Sequence, residues 1–211
     1  MSSTDDLIPI LKKLRLSGVL ETLELRNRQA VEGNTPYEEF LFRLLADEAE
    51  RREAKKLHLR LRRASFEHAK TLEDFNFEFN PQIPKSKIID LATCIFIKRF
   101  ENALLCGPAG VGKSHVAQAI GYRACLSGYT VTYILCQKMF TQLRAARADN
   151  SYDRVMLRFT RPDLLIVDDL GLRPLRYDEP EDLFEIIRQR YERGSLIMTS
   201  NRDIQEWYSL F

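Results

Sequence analysis

Apolar residues recur at helical spacing through the first part of the chain: Leu11 and Leu14, then Leu16, Val19, Leu20 and Leu23, then Phe40, Leu41, Leu44 and Leu45. That spacing predicts a small helical domain. Gly33-Asn34 predicts a break inside it, and Thr35-Pro36 supplies an N-cap and a first-turn proline for the helix that follows. The pattern then changes. Leu72 to Lys87 is an aromatic stretch (Phe75, Phe77, Phe79) interrupted by prolines and asparagines and reads as an ordered linker. After a helix expected near Ile88 to Arg99 come four strand-length apolar runs: Ala103 to Cys106, Thr130 to Leu135, Leu164 to Val167 and Leu196 to Thr199. Helix-length segments separate them, the alternation of a parallel sheet with helices on both faces. The expected organisation is a helical domain over 1–70, a linker over 71–87 and an α/β unit over 88–211.

The segment between the first expected strand and the next helix is GPAGVGKS, Gly107 to Ser114. It fits G-x-x-x-x-G-K-[ST], in the strand–turn–helix setting that this pattern needs. Backbone N–H groups must curl around phosphate oxygens, so Gly107, Gly110 and Gly112 stand where a side chain would block approach or where φ is positive, with Pro108, Ala109 and Val111 between them. Lys113 can reach the β and γ phosphates of a nucleotide, Ser114 can ligate Mg²⁺, and the N-terminus of the following helix points its positive end at the anion. No Asn/Thr-Lys-x-Asp segment for reading guanine occurs, which favours ATP.

The third run continues into paired acids, LLIVDD, ending at Asp168 and Asp169. In an open parallel sheet ligands bind beyond the C-terminal ends of the strands, so acids there can face the phosphates. Asp168 is expected to hold Mg²⁺ through water and Asp169 to orient and deprotonate the attacking water. The fourth run ends at Thr199-Ser200-Asn201, where an amide can reach between the γ-phosphate and the water. Asn201 is thus a sensor candidate, although without the P-loop it would read as a helix N-cap or turn residue.

Composition narrows the alternatives. The chain has 211 residues, 45% hydrophobic and 29% charged, an ordinary balance for a folded soluble protein. The start MSSTDD lacks the layout of a signal peptide and no apolar run approaches the length of a membrane span, so a soluble cytoplasmic protein is expected. Cys94, Cys106, Cys125 and Cys136, and His58, His68 and His115, show no metal-ligand spacing, which argues against zinc and for reduced thiols. The net charge of +2 matters less than its placement. RREAKKLHLRLRR, Arg51 to Arg63, holds seven Lys/Arg against one Glu. Arg51, Arg52, Lys55, Lys56, Arg60, Arg62 and Arg63 are expected to meet DNA phosphates without reading sequence.

Taken in order, GPAGVGKSH, GYTVTYI, LLIVDDLG and YERGSLIMTSN resemble the IstB-type transposition helper ATPases, relatives of the DnaC helicase loaders and DnaA initiators within the AAA+ class. The resemblance covers nearly the whole chain, since that family also carries a small N-terminal helical domain. It implies a P-loop NTPase fold of AAA+ type, ATP and Mg²⁺ as ligands, nucleotide-dependent homo-oligomers on double-stranded DNA, and partnership with a transposase in target selection. By matching motif positions, Lys113, Ser114, Asp168, Asp169 and Asn201 take the roles argued above. The family's additional helical element after the second strand matches Gln137 to Arg161, which adds Arg144, Arg147, Arg154, Arg158 and Arg161 to the expected DNA-contacting set.

The resemblance also implies a fifth strand beside the first, an arginine finger and a second sensor beyond Asn201. The chain ends ten residues after Asn201, so a fragment or truncated gene product is expected, with Ala103 to Cys106 as an apolar sheet edge. Three other readings use the same motifs: a helicase loader, whose partner would be a replicative helicase; a P-loop small-molecule kinase, which the paired acids disfavour; and a nucleotide-dependent DNA-binding module with little hydrolysis.

Overall fold

The computed structural model describes residues 4–68, 70–78 and 83–209. Phe79, one of the linker aromatics, lies outside them. The chain forms two compact units, Met1–Leu59 and Arg60–Phe211.

The first unit contains α1 (Thr4–Lys13), α2 (Ser17–Glu32) and most of α3 (Tyr37–Ala64). Gly33 caps α2 and Asn34 takes a left-handed conformation, so the break falls at the expected dipeptide. Val19, Leu23 and Leu44 form the core, with Leu11, Leu16 and Phe40 packed against them, whereas Leu14, Leu41 and Leu45 stay half exposed or more. A carboxylate completes the unit. Glu48 of α3 is buried and accepts from the backbone N–H groups of Gly18 and Val19, supplying partners for donors that the start of α2 leaves free, and it pairs with Arg52 at 2.6 Å. Arg26 and Asp47 add a two-bond pair alongside.

The second unit begins at Arg60, so it takes in the end of α3 and the residues just after it. Arg60 donates to the Cys125 carbonyl, Ala64 is fully buried, and the His68 amide donates to Gln118. The helix expected near Ile88 to Arg99 is two helices, α4 (Lys85–Ala92) and α5 (Ile95–Lys98), joined through Cys94 at φ 60°. Ile88 and Ile97 are both buried. Nine residues are about two and a half helical turns, so a straight helix would set these two on opposite faces.

Four strands follow: β1 (Ala103–Cys106), β2 (Val131–Leu135), β3 (Leu164–Leu170) and β4 (Ser195–Ser200). They form a parallel sheet in the order β1-β4-β3-β2, leaving β1 at an edge among the described residues. Between them lie α6 (Lys113–Leu126), α7 (Cys136–Ala148), α8 (Tyr152–Thr160) and α9 (Glu179–Arg190), and a 3-10 helix comes last over Ile204–Ser209. Leu165 and Val167 of β3 join one cluster with α7, α8 and α9, while Ile166 meets α6 closely enough that a Cβ on Gly121 would lie 2.7 Å from it. Burial on both faces explains why β3 reads as a continuous apolar run.

At the N-terminal ends of the strands the buried Arg190 guanidinium donates to the carbonyls of Phe159, Asp163 and Ser195 at 2.9, 3.2 and 2.5 Å. Burial lowers its pKa to about 10, which still leaves it charged at neutral pH. The four cysteines are free thiols, and no helix among the described residues is long and apolar enough to cross a membrane.

Gly18→Ala tests the first unit. The new Cβ would come 2.7 Å from Glu48 Cα, a backbone atom, so the variant should lose about 1–3 kcal/mol. Denaturant unfolding followed by circular dichroism should show an earlier transition for the helical unit and an unchanged one for the second.

Candidate nucleotide site

The end of β1 runs into the glycine loop, and Gly107 donates its N–H to the Ser200 carbonyl of β4 at 3.2 Å. Gly110 and Gly112 take φ of 83° and 93°, conformations that L side chains rarely adopt. Gly112 has a second reason to be glycine: a Cβ there would sit 2.5 Å from the Phe75 ring. Phe75 also meets His115 edge-on at 5.1 Å, and the Thr71 carbonyl lies 2.8 Å from His115 Nε2. The linker therefore packs on the loop and the first turn of α6, a placement that its aromatic composition alone did not reveal. On another side of the loop is an apolar pocket of about 160 Å³ lined by Ile83, Pro84, Ile88, Val111 and Val116, with Lys113 at its wall.

Lys113 folds back, donating from Nζ to the Gly107 and Pro108 carbonyls at 2.8 and 2.7 Å. Burial pushes its ammonium below the usual lysine range, and Asp169 and Asp168 pull the other way. Lys113 and Ser114 both lie in the first turn of α6, where unpaired N–H groups and the helix dipole favour an anion. Pro108, Ala109 and Gly110 are exposed, and Val111 half-buried.

The paired acids differ in environment. Asp168 is buried at 1% exposure, and its two oxygens accept from Tyr133 at 2.6 Å and from the Thr199 hydroxyl. Asp169 is half-buried, has φ 60°, and donates its N–H to Thr199 Oγ1 at 2.9 Å. Burial raises the Asp169 carboxyl above its ordinary value, the Asp168 charge adds to this, and Lys113 opposes both. Tyr133 and Thr199 were not singled out in the sequence, where each is one more residue of an apolar strand.

Asn201 directly follows β4. Its neighbour Ser200 accepts from Gly107 through its carbonyl and donates from Oγ to the Leu170 carbonyl, and Arg202 donates to the Gly171 carbonyl. The sensor candidate is thus fixed between the start of the P-loop and the end of β3. The structure brings all the expected nucleotide residues to the C-terminal end of one sheet.

The basic residues are less uniform than the sequence suggested. Arg51 pairs with Glu21, Arg52 with Glu48 and Lys56 with Glu53, acids outside the counted window or one turn away. In the stretch after β2, Arg144 pairs with Glu179 and Arg147 binds Asp182 through two nitrogens. Both acids are buried on the first turn of α9, so these two arginines tie α7 to α9 while remaining exposed themselves. Arg154, Arg158 and Arg161, and Lys55, Arg62 and Arg63, remain exposed.

The chain is 41% identical over 202 residues to an ATP-binding protein in an insertion sequence of Mycobacterium tuberculosis, covering 95% of this chain and 80% of that one. It is 32% identical to the ATP-binding protein of insertion sequence IS21 from Pseudomonas aeruginosa, over 96% of this chain and 76% of that one. Among solved structures, DnaA from Aquifex aeolicus bound to AMPPCP superposes with a TM-score of 0.62 at 20% identity, over 70% of this chain and 46% of DnaA. DnaI superposes with a TM-score of 0.55 at 23% identity, over 67% of this chain and 78% of DnaI. These two share the AAA+ fold. Residues 9–211 match the family described as IstB-like ATP binding protein, and the chain belongs to that family.

Proposed function

We propose that this chain is an ATP-hydrolysing, DNA-binding helper of a transposase, acting as a homo-oligomer on double-stranded DNA during target selection and insertion. The observation that carries the hydrolytic part is that the loop bearing Lys113 and the acids Asp168 and Asp169 meet at the C-terminal end of the sheet, both bonded to consecutive residues Thr199 and Ser200 of β4. The insertion-sequence names of the relatives support the transposase as partner. A helicase-loader reading rests on the fold shared with DnaI, and at 23% identity it is the fold that is shared.

In this reading the apolar pocket at Ile83, Ile88 and Val116 receives the base, and the loop from Gly107 to Ser114 wraps the phosphates. Lys113 exchanges the Gly107 and Pro108 carbonyls for β- and γ-phosphate oxygens. Among the described residues no cluster of three or more His, Cys, Asp or Glu side chains forms a metal site. The oxygen donors present, the Ser114 hydroxyl and the Asp168 carboxylate, fit a hard cation that arrives with phosphate and water ligands of its own, as Mg²⁺ does. When bound, that ion neutralises charge on the phosphates. Asp169 takes the proton of the attacking water, and Asn201 orients that water against the γ-phosphate.

For DNA, the exposed Arg154, Arg158 and Arg161 recur at helical spacing along α8 and just beyond its end, and they suit phosphates better than bases. Lys55, Arg62 and Arg63 on α3 are exposed too and are further candidates for phosphate contacts.

Purified protein should bind ATP, and Lys113→Ala should weaken that binding at least about tenfold, the loss expected when a charge-assisted phosphate contact is removed. Turnover should rise with duplex DNA. ATP binding that is unchanged in Lys113→Ala would sink the P-loop assignment.

Replacing Arg154, Arg158 and Arg161 by alanine should weaken duplex binding regardless of sequence and flatten its salt dependence by about three units of log–log slope. Fluorescence anisotropy across a salt series measures this.

The pH dependence of turnover has a defined sign. A base must be unprotonated, so kcat should fall as pH drops through an Asp169 pKa lying above the ordinary aspartate value of about 3.9. Asp169→Asn should remove turnover and leave ATP binding.

A further inference from the structure

The ladder between β3 and β4 is interrupted at the acids. Val167 pairs with Met198 and Leu170 with Ser200, so Asp168 and Asp169 together stand opposite the single residue Thr199. This is a bulge, a device that re-aims side chains at the cost of local backbone pairing. Here the Thr199 side chain supplies what the backbone ladder omits. Its hydroxyl accepts the Asp169 N–H at 2.9 Å and donates to one oxygen of Asp168. Tyr133, on the far side of β3, donates to the other oxygen at 2.6 Å.

Thr199 is fully buried and Tyr133 nearly so, and Asp168 pairs with Leu135 of β2 in the ladder, so the carboxylate is held from both neighbouring strands. Asp169 meanwhile sits at φ 60°, in the left-handed region, with its N–H held by the Thr199 hydroxyl. A hydroxyl is the smallest side-chain group able to donate and accept at once, and both capacities of Thr199 are used.

We propose that Thr199 and Tyr133 are positioning residues of the hydrolytic site: Thr199 sets the Asp168 carboxylate and the left-handed Asp169 backbone through one hydroxyl, and Tyr133 fixes the second Asp168 oxygen. The inference rests on the ATPase reading and gives a role to two residues to which the sequence reading assigned none. The lone pairs left on Asp168 then have fixed directions, which an ion held through water requires. Partners that orient a ligand to a metal in this way are worth about 10- to 100-fold in affinity for it or in activity.

The test compares the wild-type chain with Thr199→Val, Thr199→Ser and Tyr133→Phe. ATP affinity is measured in EDTA and in Mg²⁺, by calorimetry and by thermal shift, alongside turnover. All four proteins should bind ATP alike in EDTA. Mg²⁺ should strengthen binding by the wild type and Thr199→Ser, and that gain should fall about 10-fold or more in Thr199→Val and Tyr133→Phe. Turnover should drop in parallel and be restored by serine.

Valine preserves shape and phenylalanine removes one oxygen, so a loss through misfolding would appear as weakened binding in EDTA too, and that result would overturn the positioning role. Variants that retain the full Mg²⁺ gain and turnover would overturn it as well, leaving the nucleotide site intact. A wild type that binds ATP with neither Mg²⁺ response nor turnover, or that binds no ATP, would overturn the ATPase reading itself and this inference with it.

Discussion

The second unit is organised around a buried positive charge held by dipoles. Arg190 leaves the end of α9 and turns under the sheet, where its guanidinium reaches carbonyls at the end of α8, before β3 and at the start of β4. A fully buried cation without such partners would be costly, and these carbonyls would be costly without a donor. Each therefore fixes the other. Gly194 belongs to the same arrangement, since a Cβ there would lie 2.7 Å from the guanidinium. With the N-terminal ends of the central strands clamped, the irregular backbone that chemistry needs is confined to the opposite end.

At that opposite end β4 is the common neighbour. It lies between the strand that opens the P-loop and the strand that ends in the acids, and consecutive residues address both. Ser200 touches Gly107 and Leu170, and Thr199 touches both aspartates. The strand order thus carries a functional meaning: phosphate loop and acids are two strands apart, and the strand between them tells each where the other is. The linker adds a further constraint, because Phe75 occupies the space that Gly112 leaves open.

Much of this was legible in the chain. The glycine loop, the apolar runs of the four strands and the acids at the end of the third are local patterns with one physical reading each, and the structure gathers them at one end of a parallel sheet. What was not legible depends on partners distant in sequence. The break at Cys94 comes from the need to bury both Ile88 and Ile97. The ion pairs of Arg144 and Arg147 are with acids about 35 residues away, so their part in holding α7 to α9 could not be read from the local charge run. Tyr133 and Thr199 look like β-strand formers, and their hydroxyls acquire meaning only through register. The segment 60–68 reads as the tail of a helical domain, although its side chains pack with the other unit.

The folded-back pose of Lys113 has a kinetic and entropic consequence. Its ammonium is bonded to two carbonyls of its own loop, which ties the start of α6 back to the start of the loop and restricts the freedom of both. The same bonds mean that the lysine must change acceptors as a ligand arrives. Affinity is therefore the difference between two sets of oxygen contacts, and an anion that cannot release the lysine from Gly107 and Pro108 gains only the helix terminus.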